Sequence, residues 1–403
     1  MHSCTHGIWE ALRRRILINT SSFPRPNDQG GPRFVRDLVY ALQKHFDVTV
    51  LAPSFADCDA KDDLDVRRYP YFWPRSWQKL AHGHGMPTNL KTSKLALIQA
   101  PSLMACQSLN IRKTAREPFD LVNSHWLVPQ GLCFAMARSK LPHVVTVHGG
   151  DINILSRVPG GHMISKKVAK HTNAFIVVGS ELTRKLEHLI GTPFVHSVRP
   201  MGYDPDMFFQ KGPVSTTPHF LYVGRLVESK GPQDLLRAFA NLKHQIDGHV
   251  SFIGDGPLAG DLKREASELG ISSRVAFLGR QEHATVATAI SSCTALIVPS
   301  RAAKTGVAEG FPTVIMEGLA GGAVVIASDV GSISDVLIHG KNALLFDSRD
   351  VQQLTSLLSQ AARDELTSIR DAAARTAAKH TWESIANHYS DVFESVWAKA
   401  NSN

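Results

Sequence analysis

Short runs of branched apolar residues recur along the chain, each followed by a polar or glycine-bearing loop and then by a stretch with helical spacing. The first run is Ile16-Leu17-Ile18-Asn19, and a Pro/Gly-rich loop from Phe23 to Pro32 follows it. Phe34, Val35, Leu38, Val39 and Leu42 then recur at intervals that predict a helix, and Val48-Thr49-Val50-Leu51 predicts the next strand. Strand, loop, helix and strand in that order make a βαβ unit. The rhythm continues through Leu121-Val122, Val144-Val145-Thr146-Val147 and Phe175-Ile176-Val177-Val178. None of these runs alternates apolar with polar, so they predict a parallel sheet covered on both faces.

The rhythm restarts in the second half. Strands are predicted at Phe220 to Gly224, Val250 to Ile253, Val275 to Leu278, Ala295 to Val298 and Val324 to Ala327, with a helix from Pro232 to Leu242. Between the halves, Pro200 to Pro218 is proline-rich and without period. The fold class expected is α/β, with two doubly wound, Rossmann-like domains facing a cleft, at 1–199 and 200–380. A last segment, 381–403, holds an amphipathic helix from Trp382 to Trp397 with Ile385, Tyr389, Val392, Phe393 and Val396 on one face.

Composition narrows the class. At 403 residues the chain exceeds one ordinary domain, and 43% hydrophobic with 20% charged residues is globular usage. No run of eighteen apolar residues predicts a membrane span. In Met1 to Arg15 the basic residues follow the weakly apolar stretch, the reverse of a secretion signal, so a cytoplasmic protein is expected. Its five cysteines are scattered without metal-ligand spacing, which predicts reduced thiols and no metal. The net charge of +8 is uneven: residues 1–200 carry 26 Lys/Arg against 14 Asp/Glu, and the remainder 18 against 22. An anionic partner for the first half follows. No nucleic-acid module is present, so the expectation is an anionic membrane surface. Tyr69-Pro70-Tyr71-Phe72-Trp73-Pro74-Arg75-Ser76-Trp77-Gln78-Lys79 interleaves aromatic rings with cations, and Lys91, Lys94, Lys166, Lys167 and Lys170 add charge. Such a surface suits peripheral attachment to the inner face of a membrane.

Candidate chemistry gathers at strand ends, where open α/β sheets bind ligands. Glu309-Gly310-Phe311-Pro312-Thr313-Val314-Ile315-Met316-Glu317 sets two carboxylates around a predicted helix start, with Pro312 in its first turn. The free N–H groups of that turn form an anion site, flanked by carboxylates suited to hydroxyl groups. Gly224-Arg225-Leu226-Val227-Glu228-Ser229-Lys230-Gly231 offers two cations on a strand-to-helix loop, read either as a diphosphate clamp or as solvated charge. Gly254-Asp255-Gly256-Pro257 is read first as a turn. Gly30 and Gly31 permit a close backbone approach to a phosphate, or simply a flexible loop. His148-Gly149-Gly150-Asp151 supplies a hydrogen-bonding imidazole and an acidic group, which are otherwise a satisfied loop histidine and a helix-capping aspartate. His125 is assigned a structural role.

In their order and spacing these segments resemble the retaining GT-B glycosyltransferases of family 4, over nearly the whole chain. Met201-Gly202-Tyr203-Asp204-Pro205, followed by Phe208, is similar to the family's Asn-Gly-Val-Asp linker and departs from it at Met201 and Tyr203. The resemblance implies that Arg225 and Lys230, with Gly224 and Gly254, bind the donor diphosphate of a UDP- or GDP-sugar. It implies that Glu309, beside the Gly310-Phe311-Pro312-Thr313 backbone, holds sugar hydroxyls, and that Glu317 holds the ribose. His148 and Asp151 belong to the sugar side, Gly30 and Gly31 approach the phosphate, and the base lies near Arg280. Catalytic roles fall to Glu309, His148, Arg225 and Lys230, with no metal and no cofactor. The activity implied is retaining transfer to a hydroxyl of a glycan or lipid-diphosphate-linked acceptor, in bacterial cell-surface polysaccharide synthesis. The alternative is a nucleotide-sugar-binding GT-B protein of another kind, epimerase-like or a non-catalytic partner.

Overall fold

A computed structural model describes residues 13–25, 33–55, 62–81, 86, 89–90, 93–209, 215–301, 310–364 and 366–402. The chain divides into two units: Met1–Arg199 with Ile385–Asn403, and Pro200–Ser384. Among the described residues no helix is long and apolar enough to cross a membrane.

The first unit is built on a seven-stranded parallel sheet. Its strands are β1 Arg15–Asn19, β2 Asp47–Pro53, β3 Asp65–Tyr69, β4 Leu121–His125, β5 His143–Val147, β6 Ala174–Val177 and β7 His196–Val198. They lie in the order β3-β2-β1-β4-β5-β6-β7. The second unit holds β8 His219–Val223, β9 His249–Ile253, β10 Val275–Gly279, β11 Ala295–Val298, β12 Val324–Ser328 and β13 Leu344–Phe346, in the order β10-β9-β8-β11-β12-β13 and again all parallel. The winding reverses between β1 and β4 in one sheet and between β8 and β11 in the other. These are the switch points where crevices open beyond the strand ends.

The central strands β4, β5, β6, β11 and β12 are buried along their whole length; β6 and β11 are wholly apolar, β5 and β12 nearly so, and β4 carries the buried polar residues Asn123, Ser124 and His125 after Leu121-Val122. Three strands escape the sequence pattern, and all three are sheet edges: β3 (Asp65-Val66-Arg67-Arg68-Tyr69), β7 (His196-Ser197-Val198) and β13 (Leu344-Leu345-Phe346). An edge strand packs on fewer neighbours and tolerates charge, so its apolar signal is weak. Helices cover the faces with the expected stripes. In Phe34–Leu42 the buried Val35, Leu38, Val39 and Leu42 sit at helical spacing.

The helix Trp382–Asn401 packs on the first unit, and its stripe is Ile385, Tyr389, Phe393 and Val396, all buried. Phe393 meets Phe46 at 5.8 Å between ring centres, His388 Nε2 and Ser197 Oγ lie 3.0 Å apart, and the Arg14 guanidinium covers the Trp397 ring at 3.5 Å.

Candidate active site

In the second unit the loops beyond β8, β9 and β10 are zipped together by backbone hydrogen bonds. Gly224 N donates to Ile253 O (2.9 Å), Gly254 N to Gly279 O (2.7 Å), Leu226 N to Asp255 O (2.9 Å) and Leu258 N to Leu226 O (3.1 Å). The glycines are required by this closeness. At Gly254 (φ +135°) an added Cβ would stand 1.9 Å from Gly224 O, and at Gly256 it would stand 2.4 Å from Leu226 O. Asp255 caps its own turn, accepting from Gly256 N at 2.7 Å.

On this platform Arg225 is exposed, and Tyr222 Oη donates to its carbonyl at 2.7 Å. Lys230 closes a short 3-10 turn, Glu228–Lys230, before Gly231 (φ +62°) redirects the chain into the helix Pro232–Asn241. Burial of the ammonium, followed by the nearby charge of Arg225, lowers the Lys230 pKa to about 7. A lysine held this way gains most from an anion that restores its proton. Arg280 is exposed just past Gly279 (φ +66°) at the end of β10.

Beyond β11 lies a support that the sequence reading passed over. Arg301 Nε donates to Asp234 Oδ2 at 2.7 Å, with a second bond between Nη2 and Oδ1, and both side chains are buried. Arg301 N also donates to Ser229 O at 2.8 Å. The loop after β11 is thereby tied to the Lys230 turn and to the helix behind it. A buried arginine two residues after a proline that ends a strand was the available signal. Glu309, Gly30 and Gly31 lie outside the described residues. After Gly310, Phe311 is buried in the core, so only its backbone remains for a ligand. Pro312 (φ −65°, ψ 118°) precedes the helix Thr313–Ala320 and does not occupy its first turn, a correction of one residue that follows from its extended ψ. Glu317 then falls in the second turn, half-buried.

In the first unit the ends of β4 and β5 bring His125 and His148 together, Nδ1 to Nε2 at 3.0 Å with the rings stacked. His148 also packs on Trp126 (4.8 Å) and Phe34 (5.0 Å). Burial pushes the His125 pKa down to about 3. Burial, then the facing His125, holds His148 well below its ordinary value. Both rings are therefore neutral at physiological pH, and one N–H donates to the other's lone pair. Trp126 takes φ +78°, ψ 139°, a conformation that costs about 1–3 kcal/mol in a non-glycine residue and concentrates at functional sites. Asp151 is buried, and its carboxylate accepts from Leu127 N and from Gly149 N (3.2 Å). Burial raises its pKa, and those backbone donors oppose the rise. Its oxygens are engaged by the backbone of the turn that carries His148; Asp151 lies in the first turn of the helix Gly150–Leu155, whose N-cap is Gly149, so it is not the N-capping residue that the sequence allowed. His125, assigned a structural role from sequence, is the residue that orients His148.

Two family models cover the chain in succession: Glycosyltransferase Family 4 matches residues 29–207, and Glycosyl transferases group 1 matches residues 204–380. The chain belongs to the family 4, group 1 glycosyltransferases. An uncharacterised glycosyltransferase of Methanocaldococcus jannaschii is 28% identical over 284 residues, covering 70% of this chain and 76% of that protein. A GDP-mannose-dependent alpha-(1-6)-phosphatidylinositol monomannoside mannosyltransferase of Mycobacterium tuberculosis is 21% identical over 398 residues, 94% of this chain and 97% of the relative. Among solved structures, Anabaena HepE in complex with UDP and glucose superposes with a TM-score of 0.71 at 17% identity, covering 95% of this glycosyltransferase and 100% of the other chain. The fold is GT-B, α/β throughout.

Proposed function

We propose that this glycosyltransferase moves a sugar, with retention of anomeric configuration, from a nucleoside-diphosphate sugar to a hydroxyl of a glycan or lipid-diphosphate-linked acceptor in bacterial cell-surface polysaccharide synthesis. The observation that carries the reading is the Arg225–Lys230 pair, held on a glycine-zipped platform beyond β8 at the switch point of the second sheet. As the bond between the anomeric carbon and the diphosphate oxygen breaks, negative charge grows on the leaving diphosphate. Two fixed cations stabilise that charge more than they stabilise the intact donor, which lowers the barrier. The departing phosphate oxygen takes the acceptor's proton on the same face, and the acceptor oxygen bonds to the anomeric carbon. Arg225 and Lys230 supply the charge neutralisation, so no metal and no cofactor enters.

Glu309 holds sugar hydroxyls, Glu317 the ribose, the Gly310-to-Thr313 backbone lies along the donor, and Arg280 lies near the base. Gly30 and Gly31 serve the phosphate, while His148 hydrogen-bonds the sugar with Asp151 fixing its turn. The names of the relatives support both donor nucleotides, UDP for the Anabaena structure and GDP for the mycobacterial enzyme. A thermal-shift panel of UDP- and GDP-sugars selects the donor, because a ligand of the native state raises its melting temperature. NMR of the glycosidic product then reads the anomeric configuration, and chelator treatment should leave the rate unchanged. An inverted product overturns retention, and the absence of a shift with every donor overturns the donor assignment.

A further inference from the structure

The long helix Lys94–Thr114 has its polarity partly reversed. A helix at the surface of a globular unit normally buries an apolar stripe and exposes polar groups. Here the buried face carries Gln99, Gln107, Ser108 and Thr114 beside Ala96, Leu103 and Ile111. The outward face carries Leu97 (56% exposed), Ile98 (66%), Pro101, Ala105 and Leu109 (66%). At 100° per residue these five fall within about 120° of one another, a continuous apolar stripe. Exposed cations bracket it, Lys94 at one end and Arg112 with Lys113 at the other.

Two tryptophans stand on the loop that Gln99 and Ser102 of this helix hold. Trp73 is 82% exposed and Trp77 53% exposed, with Arg75 and Lys79 exposed between and after them. Their loop is held firmly from beneath. Gln99 donates to Trp77 O at 2.5 Å and accepts from Lys79 N and Leu80 N at 3.1 Å each. Gln78 accepts from Tyr71 N at 2.7 Å, and Ser102 donates to Tyr71 O at 2.6 Å. The buried glutamine of the reversed helix thus pins the backbone, and the indole rings remain outside. Neither ring is needed to close the core.

Charge identifies what covers this face. From Pro70 to Arg116 the chain has seven Lys or Arg and no Asp or Glu; Arg67 and Arg68 before it are paired with Glu117 and Asp62. A protein partner of mixed charge would need acceptors and donors in register, whereas an anionic bilayer offers a diffuse negative surface over an apolar interior. Rigid tryptophans at the polar boundary, an apolar helix face and flanking cations match that profile. We propose that the face formed by Trp73, Trp77, Leu97, Ile98 and Leu109, with Arg75, Lys79, Lys94, Arg112 and Lys113, docks the protein on an anionic lipid bilayer. The assignment of the sugar donor plays no part in it.

Flotation of the full chain with vesicles tests this. The wild type floats with a phosphatidylcholine–phosphatidylglycerol mixture, binds pure phosphatidylcholine weakly, and is released as salt rises. Replacing Trp73→Ser with Ile98→Gln weakens partition at least about tenfold, and Arg112→Gln with Lys113→Gln weakens it about fivefold for each charge removed. Melting temperatures of both variants stay close to the wild-type value, since the replaced side chains are mostly exposed. Equal binding to the two vesicle types, or no binding to either, overturns the proposal. So does a wild-type dimer that Ile98→Gln converts to a monomer, because the face then belongs to a second copy. Nucleotide-induced thermal shifts in the same variants are retained. If the wild type shows no such shift and still floats, the donor assignment fails and this one stands.

Discussion

Beyond β8 to β10 of the second sheet the chain sets two cations on loops zipped by backbone hydrogen bonds. Beyond β4 and β5 of the first sheet it sets two neutral imidazoles and a buried carboxyl. The fold class is the same and both sites lie at strand ends, but on opposite sides of the point where the winding reverses: β8 to β10 precede it and β4 and β5 follow it. What differs is how burial is used. In the second unit it lowers a lysine's pKa to about 7 while Arg225 stays exposed, leaving a site that gains from an incoming anion. In the first it strips both histidines of charge and spends Asp151 on backbone donors, leaving a site that can only offer neutral hydrogen bonds. Strand ends thus carry an electrostatic half of the comparison in the second unit and a neutral half in the first.

The contrast breaks most severely at the Arg301–Asp234 pair. Asp234→Ala leaves a buried guanidinium without its partner and is expected to cost about 3–5 kcal/mol in urea unfolding. Lys230→Ala is expected to lower kcat by about 10²–10³-fold with an unchanged or slightly higher melting temperature, read by release of the nucleoside diphosphate. Near-normal turnover in that variant would remove the electrostatic half. Smaller still is the pH effect. Lys230 titrates at 10.5 when unfolded and at about 7 when folded, so between those values the unfolded chain holds the extra proton and stability rises with pH. Nucleotide binding needs the protonated form, so affinity falls as pH rises through about 7, by up to about tenfold per unit, and calorimetry at pH 6 and 9 checks it. His148→Ala sharpens the other half: kcat falls about tenfold, the value of a lost hydrogen bond. In the wild type neither His125 nor His148 contributes a titration near pH 6.5 to the rate profile.

The strands that could be read from sequence, β1, β2, β4 to β6 and β8 to β12, each carry an apolar run, and all but the edge strand β10 are largely buried. Edge strands β3, β7 and β13 could not, because charge or brevity erases the pattern. Arg225 and Lys230 were legible because a glycine-rich loop after a strand is a local signal. The Arg301–Asp234 pair spans 67 positions, and only the adjacency of β8 and β11 brings it together. The His125–His148 contact likewise depends on β4 lying beside β5. Lys94–Thr114 hid for a different reason. Its buried face mixes Gln99, Gln107, Ser108 and Thr114 with Ala96, Leu103 and Ile111, while apolar residues also line its outside, so no single apolar stripe marks which side is in.

The return of Ile385–Asn403 to the first unit has a consequence for biosynthesis. Pro200–Ser384 is one continuous run, so everything its core requires has been translated by the first turn of the last helix. The first unit has to wait, its sheet complete but its flank still uncovered, until Tyr389 and Phe393 leave the ribosome. The half translated first therefore matures last, and in the interval it is the half exposed to chaperones and proteases.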